Sequence, residues 1–178
     1  MTSSALVVTA IGPDRQGLVG ELAACVARAG GNIAYSRMGV LCGRFTILAL
    51  VEGSEVTLER VRASLAAEAE RLGLRIELEA STTRGSSEGL PYVIRAYGLD
   101  QPGIVHAFTS ALNAHRVNIE ELASTTQSTR FSEALAFSIE AKVSIPASRS
   151  VRAVRQALEQ MGHTMNVDVM LEPAQTAV

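Results

Sequence analysis

The fold is decided by Gly12-Pro13-Asp14-Arg15-Gln16-Gly17 and by its later copy, Gly98-Leu99-Asp100-Gln101-Pro102-Gly103. Each turn follows a short apolar run and is followed, at the same distance, by an Asn-Ile pair: Asn32-Ile33 and Asn118-Ile119. One such turn would be a weak signal. Two in the same register indicate an internal duplication of the chain.

Around the first turn, the spacing of apolar residues predicts the order strand, helix, strand, strand, helix, strand. A run rich in β-branched residues before the turn indicates a strand. Apolar residues at helical spacing after it indicate a helix that ends at Gly30-Gly31, and a second helical stripe ends at Gly73. The predicted strands span residues 6–11, 33–39, 45–51 and 74–78, and the predicted helices span residues 18–29 and 58–72.

The same order repeats after a linker over residues 81–90, where small polar residues and glycines show no periodicity. Gly162 is expected to end the last helix. The predicted strands span residues 92–97, 117–124, 134–143 and 165–171, and the predicted helices span residues 104–112 and 151–161. The predicted fold is therefore α+β: two βαββαβ domains over residues 1–80 and 91–173, with antiparallel sheets, helices on one face and a frayed tail over residues 174–178.

Two stretches are candidates for contact with another domain or chain. Ile47-Leu48-Ala49-Leu50-Val51 has no polar face, and a strand that is apolar on both sides needs cover on both. Since the domain's own helices can cover one face only, we expect the other face, or a neighbouring edge, to meet the second repeat or another chain. The polar connection over residues 124–130 is interpreted as a hairpin tip, with a partner-contact surface as the alternative.

Composition narrows the class of protein. The 178 residues are 47% hydrophobic and 19% charged, which is typical of a globular chain, and the net charge of −2 with one lysine argues against a nucleic-acid surface. No basic leader and no apolar run of about 18 residues is present, so neither export nor membrane insertion is indicated. Cys25 and Cys42 lack metal or redox spacing and suit reduced thiols of a cytoplasmic protein.

Each turn has residues suited to hold a small charged molecule. Asp14 is expected at the N-cap of the next helix and Gly17 in its first turn, where unpaired backbone amides and the helix dipole favour a carboxylate. Asn32 is expected close by, able to donate to a carboxylate and accept from an ammonium. The second copy has the same residue types at Asp100, Gly103 and Asn118. All of these residues also have purely structural uses, so the spacing alone leaves both interpretations open.

The G-x-D-x-x-G-[LIV]-V turn, the Asn-Ile pair and the βαββαβ order resemble the ACT domain, a ferredoxin-like module that binds amino acids and related metabolites. The tandem arrangement over about residues 4–173 is most similar to the glycine cleavage system transcriptional repressor family, which has two ACT domains. Asn32-Ile33-Ala34-Tyr35-Ser36-Arg37-Met38 resembles the first repeat of that family, and Gly103-Ile104-Val105-His106 resembles the second.

The resemblance implies a small, glycine-like amino acid as the ligand and a transcription activator as the protein partner. The implied ligand-binding positions are Asp14, Gly17 and Asn32 in the first copy and Asp100, Gly103 and Asn118 in the second. His106 is a further candidate because it lies one turn from Gly103. Such ligands commonly bind where two domains adjoin, so a site can require both repeats or a homodimer. Some ACT domains have a polar side chain where Gly12 and Gly98 stand here, so the side-chain grip on a ligand is expected to be weaker.

Other functions fit the sequence less well. The three histidines have no metal-ligand spacing, so neither a metal nor a cofactor is expected. An acylphosphatase shares the βαββαβ order but needs a G-x-V-Q-G-V-x-[FY]-R cradle, which is absent, so no enzymatic activity is expected. An RNA-binding sheet needs stacking aromatic residues on its central strands, and the chain has few aromatics. A protein-interaction module without a bound ligand remains the alternative.

Overall fold

The computed structural model describes residues 4–82, 89–128 and 135–174, and the chain divides into two compact units, Met1–Gly85 and Ser86–Val178. The first unit contains β1 (Ser4–Pro13), α1 (Leu18–Arg28), β2 (Asn32–Leu41), β3 (Arg44–Glu52), α2 (Glu55–Leu72) and β4 (Arg75–Thr82). The second contains β5 (Leu90–Leu99), α3 (Ile104–Ala114), β6 (Asn118–Ser128), β7 (Leu135–Ile145), α4 (Val151–Met165) and β8 (Val167–Pro173). The predicted α+β class and the repeated βαββαβ order are confirmed.

Within the described residues, each unit forms an antiparallel four-stranded sheet. The strand order is β2-β3-β1-β4 in the first unit and β6-β7-β5-β8 in the second. The outer strands β2 and β6 share an irregularity at the matching position, between Ile33 and Tyr35 and between Ile119 and Glu121. The shared order and the shared bulge support an internal duplication.

The two helices of each unit cover one face of its sheet, and the core lies between them. In the first unit, alternate residues of β1 and β3 face the helices and are buried with Leu18, Leu22 and Cys25 of α1. In the second unit, Phe108 of α3 and Phe137 of β7 are buried in the corresponding layer. Burial of one such side chain contributes about 1.5–3 kcal/mol, so these helix stripes hold each unit together.

The prediction that Gly162 ends the last helix is wrong, because α4 continues to Met165 and ends at Asn166 in the left-handed region, with φ at 48°. The glycine serves a different purpose: a Cβ on Gly162 would lie 2.5 Å from the carbonyl oxygen of Val167. Gly162 therefore allows α4 to approach β8 closely, and Met165, predicted in the strand, is helical.

Some predicted boundaries also move. Strand β4 includes residues 81–82 of the predicted linker and β5 begins at its last residue, while residues 83–88 lie outside the described residues. Strand β6 continues to Ser128, so most of the predicted hairpin tip over residues 124–130 is strand, and its last two residues lie outside the described ranges. Of the predicted tail, only Ala174 is described, and its N–H donates to the carbonyl of Pro91 at 3.0 Å. The connection after Ser128 stays a candidate for partner contact.

Gly12 and Gly98 lie where the strand before each turn passes the end of a helix in the same unit. A Cβ on Gly12 would overlap the carbonyl oxygen of Gly73, and a Cβ on Gly98 would lie 2.9 Å from that of Asn166. No side chain fits at these positions without moving the backbone. The absence of a polar ligand-binding side chain there is thus a consequence of packing.

Candidate functional site

Each glycine turn ends in a left-handed glycine that is itself the N-cap. Gly17 has φ at 85° and Gly103 has φ at 95°, and neither helix start has a side-chain capping hydrogen bond. The prediction that Asp14 and Asp100 are N-caps is therefore wrong, as is the placement of the glycines inside the first turn. A left-handed cap favours glycine because a Cβ in this region costs roughly 1–2 kcal/mol.

The aspartates have another role in the turn, through their backbones. The N–H of Asp14 donates to the carbonyl of Gly43 at 2.9 Å, and the N–H of Asp100 donates to that of Leu135 at 2.8 Å. These bonds attach the first turn to the connection between β2 and β3 and the second turn to the first residue of β7. Both aspartate side chains are exposed next to the helix start, and neither forms a capping hydrogen bond there.

No side chain caps either helix start, and unpaired backbone N–H groups are the usual basis of anion binding at such a position. Gly103 and His106 are exposed, and His106 lies in the first turn of α3. The arrangement can therefore receive a small carboxylate. His106 stays a candidate for contact with it.

The two turns differ in what surrounds them. In the first unit, Arg15 donates to Glu21 at 2.5 and 3.1 Å, and Arg71 of α2 donates to the same carboxylate at 2.8 Å and also pairs with Glu68. Hydrogen bonds from Arg15 and then from Arg71 lower the pKa of Glu21 to about 2. We call Arg15, Glu21, Glu68 and Arg71 the arginine–glutamate cluster; the spacing of residues along the chain gives no sign of it.

In the second unit the charged residue of the turn is Asp100, and the uncharged Gln101 stands where the first turn has Arg15. Gln101 donates from its amide to the carbonyl of Met165, and α3 has no acidic residue in its first turn, where Ala107 occupies the place of Glu21. The position of a Cβ on Gly17 is 3.8 Å from Oε1 of Glu21, whereas nothing lies within 4 Å of that position at Gly103. The second turn is therefore the more open of the two.

Asn32 and Asn118 do not lie near the turn of their own unit, which corrects the prediction. Asn32 pairs across β2 and β3 with Glu52, which pairs with Ala5 at the start of β1. The turn follows Pro13, eight residues further along β1, so the two groups are separated by roughly 26 Å of strand. The pairing of Asn118 with Ser144 places it likewise at the far end of the second sheet.

The outer faces of the two sheets, opposite the helices, differ in chemistry. In the first unit the centre of the outer face is apolar, with Leu48 of β3 47% exposed on the same side as Leu50, Val7 and Ile11. Polar side chains flank it: Arg37 and Thr9 are the cross-strand neighbours of Leu48, and Arg75 pairs with Glu77 on the edge strand β4. In the second unit the outer face has ion pairs, Arg95 with Glu140 at 2.9 Å and with Glu172 at 3.0 Å. The expectation that another surface covers the first sheet stays a prediction.

Other candidate chemistry is absent from the described parts of the chain. No group of three or more His, Cys, Asp or Glu there is arranged to hold a metal ion. No helix in those ranges has both the length and the apolar character needed to span a membrane. Cys25 is buried and Cys42 is exposed, and neither forms a disulfide.

Comparison with known proteins gives a consistent result. The sequence pattern of the ACT domain matches residues 4–79 and 91–172. The glycine cleavage system transcriptional repressors of Escherichia coli (strain K12) and Shigella flexneri are each 30% identical to the chain over 162 residues, covering 90% of the chain and 85% of the relative. A crystal structure of an unknown protein from Galdieria sulphuraria has a TM-score of 0.80 and 26% identity, and the match covers 97% of this chain and 99% of that one.

Proposed function

Because the chain belongs to the ACT domain family and carries two copies of the domain in tandem, we propose that it is a non-enzymatic regulator. It binds a small, glycine-like amino acid and thereby changes its contact with a transcription activator in the cytoplasm, without binding nucleic acid itself. The observation that carries the proposal is the open start of α3 at Gly103. The two similar repressors are regulators of transcription by name, which supports the regulatory part.

The carboxylate of the amino acid binds the backbone N–H groups at the start of α3. Glycine at position 103 has no side chain to obstruct the approach, and the helix dipole favours a negative charge there. In the first unit Glu21 already places a carboxylate near the equivalent position, held by two arginines. We therefore assign the stronger binding of amino acid to the second turn.

The asparagine that completes the site comes from a second copy of the chain. Asn118 lies at the far end of the sheet from Gly103, so it does not reach a ligand held at that turn. Two copies can pair so that the Asn118 end of the sheet in one copy meets the turn end of the sheet in the other. Such a pairing would bring the Asn-Ile segment of one copy to the turn of its partner. Association of two copies of the chain into a homodimer is part of the proposal.

A second candidate is a protein-interaction module that acts without a small ligand. The apolar outer face of the first sheet favours it, because exposed apolar patches with polar rims commonly mark interaction sites. The two candidates differ in one respect that is simple to measure, namely whether any amino acid binds.

The test is a thermal-shift and calorimetric screen of the full chain against glycine, serine and the other standard amino acids. The proposal expects at least one small amino acid to stabilise the protein, by about 2.7 kcal/mol at 100 times its dissociation constant. The shifted amide signals in ¹⁵N NMR should include Gly103 and His106. If no amino acid binds while the purified activator still does, the second candidate holds and the amino-acid proposal fails.

A further inference from the structure

The outer face of the first sheet has hydrogen-bond donors on one edge strand and carboxylates on the other. Two neighbouring rows of side chains cross this face from β2 through β3 and β1 to β4. In order, the rows are Arg37, Leu48, Thr9, Glu77 and Tyr35, Leu50, Val7, Glu79. Each row therefore begins with a donor on β2, continues through three apolar residues and one threonine in the two middle strands taken together, and ends with a glutamate on β4.

The side chains of these rows are accessible in the chain. Leu48 is 47% exposed and Tyr35 is 48% exposed. Arg37 donates to the hydroxyl of Tyr35 and its guanidinium lies 5.6 Å from the centre of the ring, so the two form one edge of the face. Glu77 pairs with Arg75 of its own strand at 3.6 Å, but both side chains are largely exposed and such a pair adds little stability. Glu77 is thus able to exchange it for a contact with another molecule.

The second unit shows the same face with its charges paired inside one sheet. When the two glycine turns are matched, Thr9 and Leu48 correspond to Arg95 and Glu140, which form an ion pair at 2.9 Å. The first unit has uncharged residues at these two central positions. The charges of its row are on the edge strands, which are roughly 14 Å apart at the usual spacing of strands. A contact that joins them requires a second molecule.

A face with this arrangement is complementary to itself. When two copies meet face to face around a two-fold axis parallel to the strands, β2 of each copy lies over β4 of the other and each row faces the same row. Arg37 then lies opposite Glu77, and Tyr35 lies opposite Glu79, in both halves of the contact. A two-fold axis across the same rows would instead place β4 over β4 and glutamates near glutamates. Charge therefore selects the axis parallel to the strands.

The middle strands supply the apolar part of this contact. The same axis places β3 of one copy over β1 of the other, so that Leu48 packs on Thr9 and Leu50 on Val7. Aligned packing of two sheets is a common arrangement, with the sheets about 10 Å apart. Four strands and the ten residues of β1 give a face of roughly 19 by 33 Å, somewhat below the roughly 800 Å² per partner of a standard interface. We therefore expect a dimer that dissociates on dilution.

We propose that the outer face of the first sheet binds the same face of a second copy of the chain, with Arg37 opposite Glu77 and Tyr35 opposite Glu79. The inference rests on the homodimer of the proposed function and identifies the surface and the symmetry that form it. It uses no residue of the start of α3, so self-association and amino-acid binding are measured independently.

The test is analytical ultracentrifugation of the full chain and of two charge reversals, alone and mixed. Arg37→Glu sets carboxylate against carboxylate, and Glu77→Arg sets cation against cation, so each variant alone should associate at least about tenfold more weakly than the wild type. In an equal mixture, the contacts between unlike copies join opposite charges on both sides, and association should return to nearly the level of the wild type. Arg60→Glu and Glu70→Arg are the matched controls, since they reverse exposed charges of α2 on the helix side. They should associate as the wild type does.

Three results would overturn the proposal. A folded Arg37→Glu or Glu77→Arg variant that associates like the wild type rejects this surface and leaves the homodimer to another one. A mixture that associates no better than its components shows that the two charges do not meet across the contact. A wild type that stays monomeric at every concentration rejects both this surface and the homodimer. Calorimetry of the same samples with amino acids shows separately whether the ligand part of the proposed function holds.

Discussion

Oε1 of Glu21 lies 3.8 Å from the position that a Cβ on Gly17 would take, which brings one of the protein's own carboxylates close to the start of α1. Arg15 and Arg71 hold the side chain there from two directions. The second unit has Ala107 in this place and an unobstructed glycine. The duplicated turns thus have similar backbones and different surroundings, and a single substitution can introduce the carboxylate into the second turn.

Ala107→Glu should weaken amino-acid binding by the second unit by about tenfold or more, because the new carboxylate competes for the same N–H groups. The helix itself should tolerate the change, since glutamate near a helix start is favourable. Ser110→Glu is the matched control, as it adds the same charge to an exposed position of α3 further from its start. Calorimetry of both variants is the measurement, and equal binding by the two would contradict the assignment of the ligand to the start of α3.

Acid should weaken the first unit through Glu21. The pKa of this residue is lowered to about 2 in the folded chain, whereas an ordinary glutamate titrates at about 4.3. A depressed folded pKa gives stability that is present above the unfolded value, so it is lost as the pH falls from about 4.3 towards 2. We expect the amide signals of the first unit to show a larger loss of stability between neutral pH and about pH 3 in the wild type than in Glu21→Gln.

Salt provides an independent check on the same cluster, because Arg15 and Arg71 are both exposed and screened by ions. The difference between wild type and Glu21→Gln should shrink at high salt. Glu70→Gln serves as the control on α2 and should keep the acid sensitivity of the wild type. If Glu21→Gln loses as much stability in acid as the wild type does, Glu21 is not the source of the acid sensitivity.

Gly12→Ala should destabilise the first unit by about 1–3 kcal/mol or more, because the new methyl group overlaps the carbonyl oxygen of Gly73. Gly39→Ala is the matched control, since a Cβ there has nothing within 4 Å. Its effect should stay within about 0.5 kcal/mol. Urea denaturation followed by the amide signals of the first unit measures both. If Gly12→Ala is as stable as Gly39→Ala, β1 and the end of α2 can move apart without a loss of folding stability.

The sequence predicted the elements well because apolar periodicity and end-of-helix glycines are local signals. Gly73 does end α2 in the left-handed region, as the spacing indicated. The same reasoning wrongly ended α4 at Gly162. A glycine is required there because the carbonyl of Val167 in the neighbouring strand approaches too closely for a side chain. A glycine required by a tertiary contact cannot be told from a helix-ending one by spacing along the chain.

The candidate site was predicted less completely, for two physical reasons. The two turns were identified, but their glycines are N-caps and not first-turn residues. Asn32 was predicted beside the turn, although α1 carries the chain back to the end of the sheet where β1 begins. The direction of the strands alone would have placed Asn32 at the end of the sheet that is far from the turn. The arginine–glutamate cluster was beyond prediction from spacing, because Arg71 and Glu21 are 50 residues apart and meet only through helix packing.

Leu48→Glu should convert a homodimer to a monomer if the apolar outer face of the first sheet is the contact between two copies. Removing a carboxylate from water in an apolar interface is unfavourable even with Arg37 as its cross-strand neighbour, so the association should weaken by at least about tenfold. Val56→Glu is the control: it adds the same charge to α2 at a residue that is 62% exposed and lies on the helix side of the unit. Analytical ultracentrifugation over a range of concentrations is the measurement. If both variants associate as the wild type does, the contact lies elsewhere, whereas a Leu48→Glu monomer with a native amide spectrum assigns the outer face of the first sheet to self-association.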